Sequence, residues 1–230
     1  MTYRVSPSSL KLFLQCKRCF YLDVVMGLKR PDGIFPSLPS GMDKILKEHF
    51  DRFAIKGELP PEIKDHAHID GCVLFDDLNL LEHWRSKSKG IQYTDPGSGI
   101  ILKGCVDNII KKGDKLIVLD YKTKGYPIKD TDPKYNQDQM DFYNFLLRKN
   151  NYQTEDFAFL LYYYPNKVMP TGEIIFDTNL VKIQTDIENA SKIFKEAILL
   201  LQSTQIPQRD KNCKFCTYKD QNFQTKIHNF

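Results

Sequence analysis

Two β-prone runs that meet at a tight turn constrain the fold of this chain more than any other feature. Residues 99–112 and 115–124 are rich in Ile, Leu and Val, and Gly113-Asp114 separates them. Glycine adopts the positive φ angles that two-residue hairpin turns need, at little steric cost. The pattern therefore predicts an antiparallel β-hairpin in the middle of the chain.

The register of this hairpin brings two carboxylates together. Counting outward from the turn places Asp107 directly opposite Asp120. Directly opposed side chains have Cβ atoms about 4.5–5.5 Å apart, and like charges at that distance destabilise a sheet. Lys122 lies two residues beyond Asp120 and therefore points to the same face. The hairpin is expected to carry two carboxylates and one ammonium group in a single cluster.

This cluster predicts a hydrolytic metal centre. Hard carboxylate oxygens suit Mg²⁺ or Mn²⁺ better than zinc. An ion held by Asp107 and Asp120 can activate a water molecule and neutralise charge on a phosphoryl oxygen. Lys122 can stabilise the transition state or help to deprotonate the water. The alternative interpretation is a solvated hairpin face that carries a surface Asp–Lys pair.

The segments around the hairpin predict a single mixed α/β domain over residues 1–230. A helix-start signature at Ser6 opens the chain and continues into an aromatic patch around Phe20. Apolar periodicity predicts further helices and strands. The helices are expected at about 40–54, 78–87, 136–149 and 186–202, and the strands at 157–164, ended by Pro165, and at 172–183.

Composition excludes several classes of protein. Hydrophobic residues make up 41% of the chain and charged residues 27%, which is typical of globular domains. No apolar run reaches the roughly 18–20 residues of a membrane span, and the first residues lack the apolar core of a signal peptide. We therefore expect a cytoplasmic protein with no membrane partner. The net charge of +4 is compatible with a nucleic-acid partner without establishing one.

Six cysteines stand out in a chain expected in a reducing compartment, where structural disulfides are rare. Cys72 and Cys105 stand alone in apolar settings and are interpreted as small core residues. The other four form two pairs at metal-ligand spacing, Cys16-x2-Cys19 and Cys213-x2-Cys216. Two such pairs most often bind structural zinc.

Basic and aromatic side chains surround the hairpin. Tyr121, Tyr126 and Tyr135 are interleaved with lysines, namely Lys103, Lys111, Lys112, Lys115, Lys124, Lys129 and Lys134. This combination suits a phosphate backbone with stacked bases, although a lysine-rich surface is also typical of a simply solvated face. The sequence contains no Walker-type phosphate loop, so any helicase motor is expected on a separate protein.

Four segments of the sequence carry motifs of one nuclease family. Gly104-Cys-Val-Asp107 is followed by Asp120-Tyr-Lys122, and Gln139-x3-Tyr143 comes after them. The segment around Cys16 precedes these motifs in the sequence, and the segment around Cys213 follows them. In this order the segments resemble the RecB-like branch of the PD-(D/E)xK nuclease superfamily, including its CRISPR-associated and AddB-type nuclease domains.

The resemblance implies a restriction-endonuclease-like core, which is a mixed β-sheet with a central hairpin flanked by helices. It implies that Asp107 and Asp120 bind the catalytic metal together with the backbone carbonyl of Tyr121, and that Lys122 is the catalytic lysine. Gln139 and Tyr143 would orient that lysine or the DNA strand. Their alternative is an amphipathic helix that packs its aromatic face.

One metal ligand of the family is displaced in this sequence. Family members usually carry a histidine four residues after a glycine in the helix that precedes the hairpin. Ile45 stands at that position after Gly41, and His49 follows one turn later. His49 is therefore a candidate metal ligand, with Asp43 as another candidate, or else a surface residue of its helix.

The resemblance also bears on the cysteines, because relatives with four cysteines at the chain ends carry a 4Fe-4S cluster. Those relatives usually place one cysteine near the N-terminus and three near the C-terminus. Here Cys19 is the extra N-terminal cysteine, and Asn222 stands at the last C-terminal position. A metal site joining the helical segment 1–60 to the closing segment 205–230 is expected, with Zn²⁺ as the alternative to the cluster and four free thiols as a third possibility.

The expected function is a metal-dependent DNA nuclease with Mg²⁺ or Mn²⁺ as cofactor. The resemblance implies a substrate of single-stranded DNA or duplex ends, and a role in repair, recombination or CRISPR adaptation beside a separate helicase or other protein. One alternative is a catalytically defective module that binds nucleic acid or a partner protein. Another is a structural protein of the zinc-ribbon type.

Overall fold

The computed structural model describes residues 2–31, 33 and 37–216. The part of the predicted closing segment beyond Cys216, including Asn222, lies outside these residues. The helices are α1 (Pro7–Gln15), α2 (Lys17–Met26), α3 (Ser37–Lys56), α4 (Pro61–Lys64), α5 (Leu78–Arg85), α6 (Gln137–Lys149) and α7 (Ile187–Gln202). The strands are β1 (Arg4–Val5), β2 (Cys72–Leu74), β3 (Ile91–Thr94), β4 (Ile101–Gly104), β5 (Asn108–Lys112), β6 (Lys115–Thr123), β7 (Phe157–Val168) and β8 (Ile174–Gln184).

The chain forms two compact units, built from segments that alternate along the sequence. Among the described residues, one unit contains 2–31, 33, 94–103 and 191–216, and the other contains 37–93 and 104–190. The first unit holds the four clustered cysteines, and the second holds the predicted metal centre.

The second unit is built on a five-stranded mixed sheet. Its strand order is β2-β5-β6-β7-β8, with β6 and β7 parallel and the other neighbours antiparallel. This arrangement confirms the expected mixed α/β class with the hairpin at its centre. The hairpin register confirms the predicted turn, since Lys112 pairs with Lys115 and Asn108 with Leu119. Gly113 in this turn has a φ of 57°. Asp107 lies just before β5, one residue outside the ladder.

Successive side chains of β6 point to opposite faces of the sheet, and the strand is buried from Leu116 to Tyr121. Leu119 and Tyr121 join a buried cluster with Leu46 and Phe50 of α3. Asp120 and Lys122 point to the opposite face, where Lys122 meets α6 through Gln139. The predicted active-site side chains therefore lie on the α6 side of a strand whose other side is anchored in the core.

Gly104 permits close approach of α6 to the segment that leads into Asp107. A Cβ atom at this position would lie 2.7 Å from Leu146 Cδ1 and 3.0 Å from the Tyr143 ring. Real Cβ atoms do not approach other heavy atoms this closely, so only glycine fits unless the Leu146 or Tyr143 side chain shifts. The Gly-x2-Asp spacing of the sequence motif thus has a packing reason.

Pro165 does not end its strand, so that prediction was wrong. β7 continues to Val168 and pairs with β8 along its length, with an irregularity between Pro165 and Lys167. The pairing of β6 with β7 ends at Thr123 opposite Tyr163. Pro165 therefore lies beyond that ladder, at an irregular edge position of the kind where sheets tolerate proline.

The first unit joins short helices through the N-terminal cysteine pair. The chain breaks between α1 and α2 at Cys16, which has an extended backbone, and the Cys19 N–H points to Cys16 Sγ at 3.5 Å. Phe13 and Phe20 pack edge to face across the break, with ring centroids 5.3 Å apart. β1 pairs in parallel with β4 in the same unit. The predicted N-terminal helix is therefore two helices, because the cysteine pair requires a turn between them.

None of the helices in the described part of the chain has the length and apolar character needed to cross a membrane.

Candidate active site and cysteine cluster

Asp107 is held by contacts from three elements. Its Oδ2 accepts a hydrogen bond from the Tyr121 backbone N–H at 3.0 Å, and its Oδ1 lies 3.1 Å from Lys47 Nζ of α3. Its backbone carbonyl accepts a hydrogen bond from Arg85 Nε of α5 at 2.7 Å. Arg85 in turn pairs with Asp51 at 2.7 Å. Both the backbone and the carboxylate of Asp107 are therefore fixed.

Asp120 is the most deeply buried carboxylate of the predicted cluster, with 2% of the residue exposed. Lys122 Nζ forms an ion pair with its Oδ2 at 2.5 Å, and this buried oxygen has no further hydrogen-bond partner among the described residues. Burial, followed by repulsion from Asp107, raises the pKa of Asp120 to about 7, against the attraction of Lys122 and Lys47. A cation that binds this oxygen would offset the cost of burying the charged form.

Gln139 and Tyr143 extend this cluster along α6. Lys122 Nζ donates a hydrogen bond to Gln139 Oε1 at 3.1 Å, and Gln139 Nε2 donates one to the Tyr143 hydroxyl at 2.7 Å. Tyr143 is buried, and burial followed by the nearby Asp120 raises its pKa well above the usual value. The four-residue spacing thus places both side chains in one chain of contacts with Lys122.

Tyr121 occupies the position of the predicted carbonyl ligand, between Asp120 and Lys122. Its side chain is 7% exposed and its hydroxyl accepts a hydrogen bond from Asn108 Nδ2 at 2.8 Å. The interpretation of this ring as a stacking surface for bases was therefore wrong, since Tyr121 lies with Ile117 and Leu119 in the buried core. Tyr126 and Tyr135, by contrast, are exposed.

His49 lies in a different set of contacts from the two predicted aspartate ligands. Its Nε2 is 2.9 Å from Glu62 Oε1, and Glu62 also accepts a hydrogen bond from the Tyr163 hydroxyl at 3.3 Å. The His49 ring packs edge-on against Phe50 and Phe53. These contacts account for His49 without a metal, and its role as a ligand stays a prediction.

The structure brings Lys47 to the position beside Asp107 that the sequence analysis considered for other residues of α3. Lys47 Nζ lies 2.8 Å from Asp43 Oδ2 as well as 3.1 Å from Asp107 Oδ1. Burial alone would lower the pKa of Lys47, but the attraction of Asp107 and Asp43 outweighs it and the pKa is raised. The four-residue spacing of Asp43 and Lys47 was the available signal, although it could not reveal Asp107 as the third member.

The donor set at this centre fits a hard divalent cation. Asp107 and Asp120 offer carboxylate oxygens, which Mg²⁺ and Mn²⁺ prefer. The buried Asp120 Oδ2 has Lys122 as its one polar partner among the described residues, which leaves this carboxylate oxygen lone-pair capacity for an ion. The predicted ligands Asp107 and Asp120 are thus brought together with Lys122.

The four paired cysteines converge in the first unit. Cys16, Cys19, Cys213 and Cys216 are all buried, and their Sγ atoms lie within 4.8 Å of one another. Cys19 Sγ is 3.6 Å from Cys213 Sγ and 3.5 Å from Cys216 Sγ, and Cys16 Sγ is 3.8 Å from Cys216 Sγ. The predicted grouping of four thiols is therefore confirmed.

Arg30 adds a positive charge at the edge of the cysteine cluster. Its Nη2 lies 3.4 Å from Cys213 Sγ, and its guanidinium stacks over the Phe215 ring at 4.4 Å from the centroid. Burial raises the pKa of the Cys19 thiol, and the hydrogen bond from Arg30 opposes that rise. Cys72 is buried elsewhere, in the core of the second unit.

These observations define a mixed α/β protein whose central hairpin presents two aspartates and a lysine beside a helix. The model of the PD-(D/E)XK nuclease superfamily matches residues 42–221, and the chain belongs to that superfamily. Its members are typically nucleases that use divalent metals, and a nuclease-like domain implies nucleic-acid binding.

Two further comparisons add little to this assignment. A solved structure described as the crystal structure of SSO0001 matches with a TM-score of 0.42 and 15% sequence identity, covering 94% of this chain and 84% of that chain. No curated protein matches the chain. The narrower resemblance to the RecB-like branch stays a prediction.

Proposed function

We propose that this protein is a metal-dependent deoxyribonuclease that hydrolyses phosphodiester bonds. The observation that carries the proposal is the convergence of Asp107, Asp120 and Lys122, with Lys122 2.5 Å from Asp120 and Asp107 bonded to the backbone between them. Membership of the PD-(D/E)XK superfamily supports the same reaction class. The expected cofactor is Mg²⁺ or Mn²⁺, held by Asp107, Asp120 and the backbone carbonyl of Tyr121.

Different residues of the chain have different roles in the proposed reaction. A bound divalent ion would activate the attacking water and neutralise charge on the phosphate. Lys122 stabilises negative charge that develops on the phosphoryl oxygens and can hold a proton near the attacking water. Gln139 orients the Lys122 ammonium through its Oε1 atom, and Tyr143 fixes Gln139. Arg85 holds the Asp107 backbone in place.

The segment after β6 supports single-stranded DNA as the substrate. Tyr126 is 56% exposed, and the ammonium groups of Lys124 and Lys129 lie 4.6 and 5.8 Å from its ring centroid. An exposed ring offers a base a stacking surface, and the exposed Lys129 offers a neighbouring phosphate positive charge, whereas Lys124 is paired with Asp132. This segment begins two residues after Lys122. Frayed duplex ends would supply the same unstacked bases.

A cleavage assay with matched variants tests this function. Labelled single-stranded and duplex DNA are incubated with Mg²⁺ or Mn²⁺ and the wild type, Lys122→Ala or Lys64→Ala. Lys64 is an exposed lysine of α4 and provides a charge-matched control. We expect cleavage by the wild type and Lys64→Ala, preferentially of single strands, and a loss of at least about 100-fold for Lys122→Ala. Equal absence of cleavage in all three proteins would reject the proposal.

A catalytically defective binding module is the second candidate. It is favoured by the contacts of His49, which pairs with Glu62 and not with either aspartate of the hairpin. Such a module would bind single-stranded DNA without cutting it. Binding that depends on Tyr126 and persists in Lys122→Ala, together with no cleavage by the wild type, would support this candidate.

The cysteine cluster is proposed as a structural metal site that ties together the N-terminal and C-terminal segments of the first unit. Bonds of about 2.3 Å from one zinc ion hold tetrahedral sulfurs about 3.8 Å apart. Three of the six Sγ separations are 3.5–3.8 Å, close to that spacing, and all of them are within 4.8 Å. In a 4Fe-4S cluster each thiolate binds a different iron, so the sulfurs stand farther apart. The spacing favours a single zinc ion over the cluster that the family resemblance implies.

The metal content of purified protein distinguishes these two occupants. One zinc per chain and a colourless solution are expected. Four irons per chain, with a brown colour and absorbance near ~400 nm after anaerobic purification, would instead establish the cluster. The pathway, whether repair, recombination or CRISPR adaptation, and a helicase partner stay predictions of the family resemblance.

A further inference from the structure

We infer that Lys47 supplies the positive charge that a second divalent ion would supply beside Asp107, so that the catalytic centre holds one ion. The inference rests on the proposed nuclease function, because it concerns the ion of that catalytic centre. Its test counts bound ions and does not require activity. It assigns a positioning role to a residue outside the predicted motifs. Three features support this role: the contacts of Lys47, its fixed position on α3 and the balance of charge around Asp107.

The first observation is that Lys47 bridges two carboxylates. Its Nζ lies 2.8 Å from Asp43 Oδ2 and 3.1 Å from Asp107 Oδ1, and its side chain is 22% exposed. The other oxygen of Asp107 accepts the Tyr121 N–H. Oδ1 of Asp107 is therefore paired with a cation, whereas Oδ2 accepts one backbone hydrogen bond and can still bind one ion. A cation at Oδ1 is already present, and it is an ammonium group.

The second observation is that the helix fixes Lys47 in this position. Met42, Leu46 and Phe50 of α3 are buried in the core of the second unit. Asp43 and Lys47 are one turn apart on the flank of this buried stripe, so their side chains meet. The core packing of α3 therefore sets the rotation that turns Lys47 toward Asp107. A flexible surface lysine would not hold a position in this way.

The third observation concerns charge. Three carboxylates, of Asp43, Asp107 and Asp120, face the two ammonium groups of Lys47 and Lys122, which leaves one negative charge. One divalent ion held by Asp107 and Asp120 more than balances this charge. A second ion at Asp107 would meet Lys47 on the same oxygen, and the two cations would repel each other. A neutral side chain at position 47 would remove the repulsion between Lys47 and a second ion. Asp43 and Asp107 could then bind that ion.

Counting bound Mn²⁺ in the full chain tests the inference. Isothermal titration calorimetry, with electron paramagnetic resonance of free Mn²⁺, is performed on the wild type, Lys47→Met, Lys47→Arg and Lys44→Met. Lys44 is exposed on the same helix and gives the same charge change away from Asp107. We expect Lys47→Met to bind one more Mn²⁺ than the wild type. Lys47→Arg and Lys44→Met should bind the wild-type number.

Any Mn²⁺ bound by the four cysteines is counted equally in every variant. It therefore does not affect the difference in Mn²⁺ number between a variant and the wild type. Equal Mn²⁺ counts for Lys47→Met and the wild type would overturn the inference, and so would an extra ion in Lys44→Met. If Lys47→Met does not fold without metal, Lys47→Gln is used in its place. The measurement is then the rise of its unfolding temperature when Mn²⁺ is added. A rise larger than that of the wild type is expected, and an equal rise would overturn the inference.

Failure of the nuclease proposal gives a different result. In that case no variant cleaves DNA, yet the difference in Mn²⁺ count between Lys47→Met and the wild type still decides the role of Lys47. Conversely, cleavage by the wild type with equal Mn²⁺ counts would retain the nuclease and reject the role of Lys47.

Discussion

At the residue scale, the buried Asp120 carries the largest electrostatic cost of the candidate centre. A carboxylate with 2% exposure beside a second carboxylate is unfavourable unless cations compensate it. Lys122 compensates part of this cost, and a divalent ion would compensate more. Function and stability therefore oppose each other at this one residue, as they often do in active sites.

The raised pKa of Asp120 predicts how metal-free protein responds to pH. Its neutral form is favoured in the folded chain, so stability is lost as pH rises from about 4 to about 7. In EDTA, Asp120→Asn should be more stable than the wild type at pH 8, by a few kcal/mol. The difference should nearly vanish at about pH 3, below the ordinary pKa of an aspartate, where Asp120 is mostly protonated in both the folded and the unfolded chain. Urea unfolding at the two pH values measures it, and a difference independent of pH would contradict the account.

Gln139 is predicted to act through Lys122 and not through the metal. Gln139→Ala should lower kcat about 10-fold, because the Lys122 ammonium loses the acceptor that orients it. Its Mn²⁺ affinity should match that of the wild type. Tyr143→Phe removes only the contact to Gln139 and should have a smaller effect. A large change in Mn²⁺ affinity in Gln139→Ala would contradict this division of roles.

The residues of the centre differ in how far the sequence predicts them. Asp107, Asp120 and Lys122 are close together because one turn sets the register of the hairpin. Gln139 and Tyr143 share a helix face because their spacing is one turn. Lys47 and Arg85 reach Asp107 from helices that are distant in sequence, and hydrophobic spacing does not show which polar neighbour meets which strand.

At the scale of elements, Arg85 links α5 to α3 and to the loop that carries Asp107. Its side chain is 6% exposed, pairs with Asp51 and donates to the Asp107 carbonyl. The link holds the turn into β5 in one conformation. The ion pair is thus a structural support for the predicted metal ligand.

Removing this link should weaken the fold in a way that a second substitution repairs. Arg85→Met should lower the free energy of unfolding by about 2–4 kcal/mol, because Asp51 and the Asp107 carbonyl lose their partner. Arg85→Met with Asp51→Asn should recover part of this loss, since the unpaired charge is gone. Urea unfolding of the single and double variants measures the coupling. Additive effects of the two substitutions would contradict a direct ion pair.

The elements themselves were largely predictable, and the exceptions have local causes. The strand that Pro165 was expected to end continues beyond the ladder with β6, where a missing N–H costs little. The expected N-terminal helix is interrupted because Cys16 and Cys19 turn their thiols together. The spacing of apolar residues along a sequence does not show which strand positions lie at a sheet edge. It also does not show where cysteines interrupt a helix.

At the scale of the whole molecule, the chain places its two candidate metal sites in different compact units. The thiol site draws on residues from both chain ends, whereas the carboxylate site draws on the middle of the chain. The sequence pattern predicted both groups. It could not predict the alternation of segments between units, because that depends on which long-range contacts form.

The thiol site is predicted to stabilise the chain by closing a long loop. Cys19→Ser should abolish the bound zinc or iron and lower the unfolding temperature by about 5 °C or more. Cys105→Ser is the control, because Cys105 lies outside the cluster. Elemental analysis and thermal unfolding measure both effects. Unchanged metal content in Cys19→Ser would contradict a four-thiolate site.

The position of the divalent ion is the most direct test of the proposed centre. Anomalous diffraction from crystals soaked in Mn²⁺ measures it without reference to activity. The account predicts one manganese peak bonded to Asp107 and Asp120, with Lys47 still paired to Asp43. No peak at Asp120, or two peaks that displace Lys47 from Asp107, would contradict it.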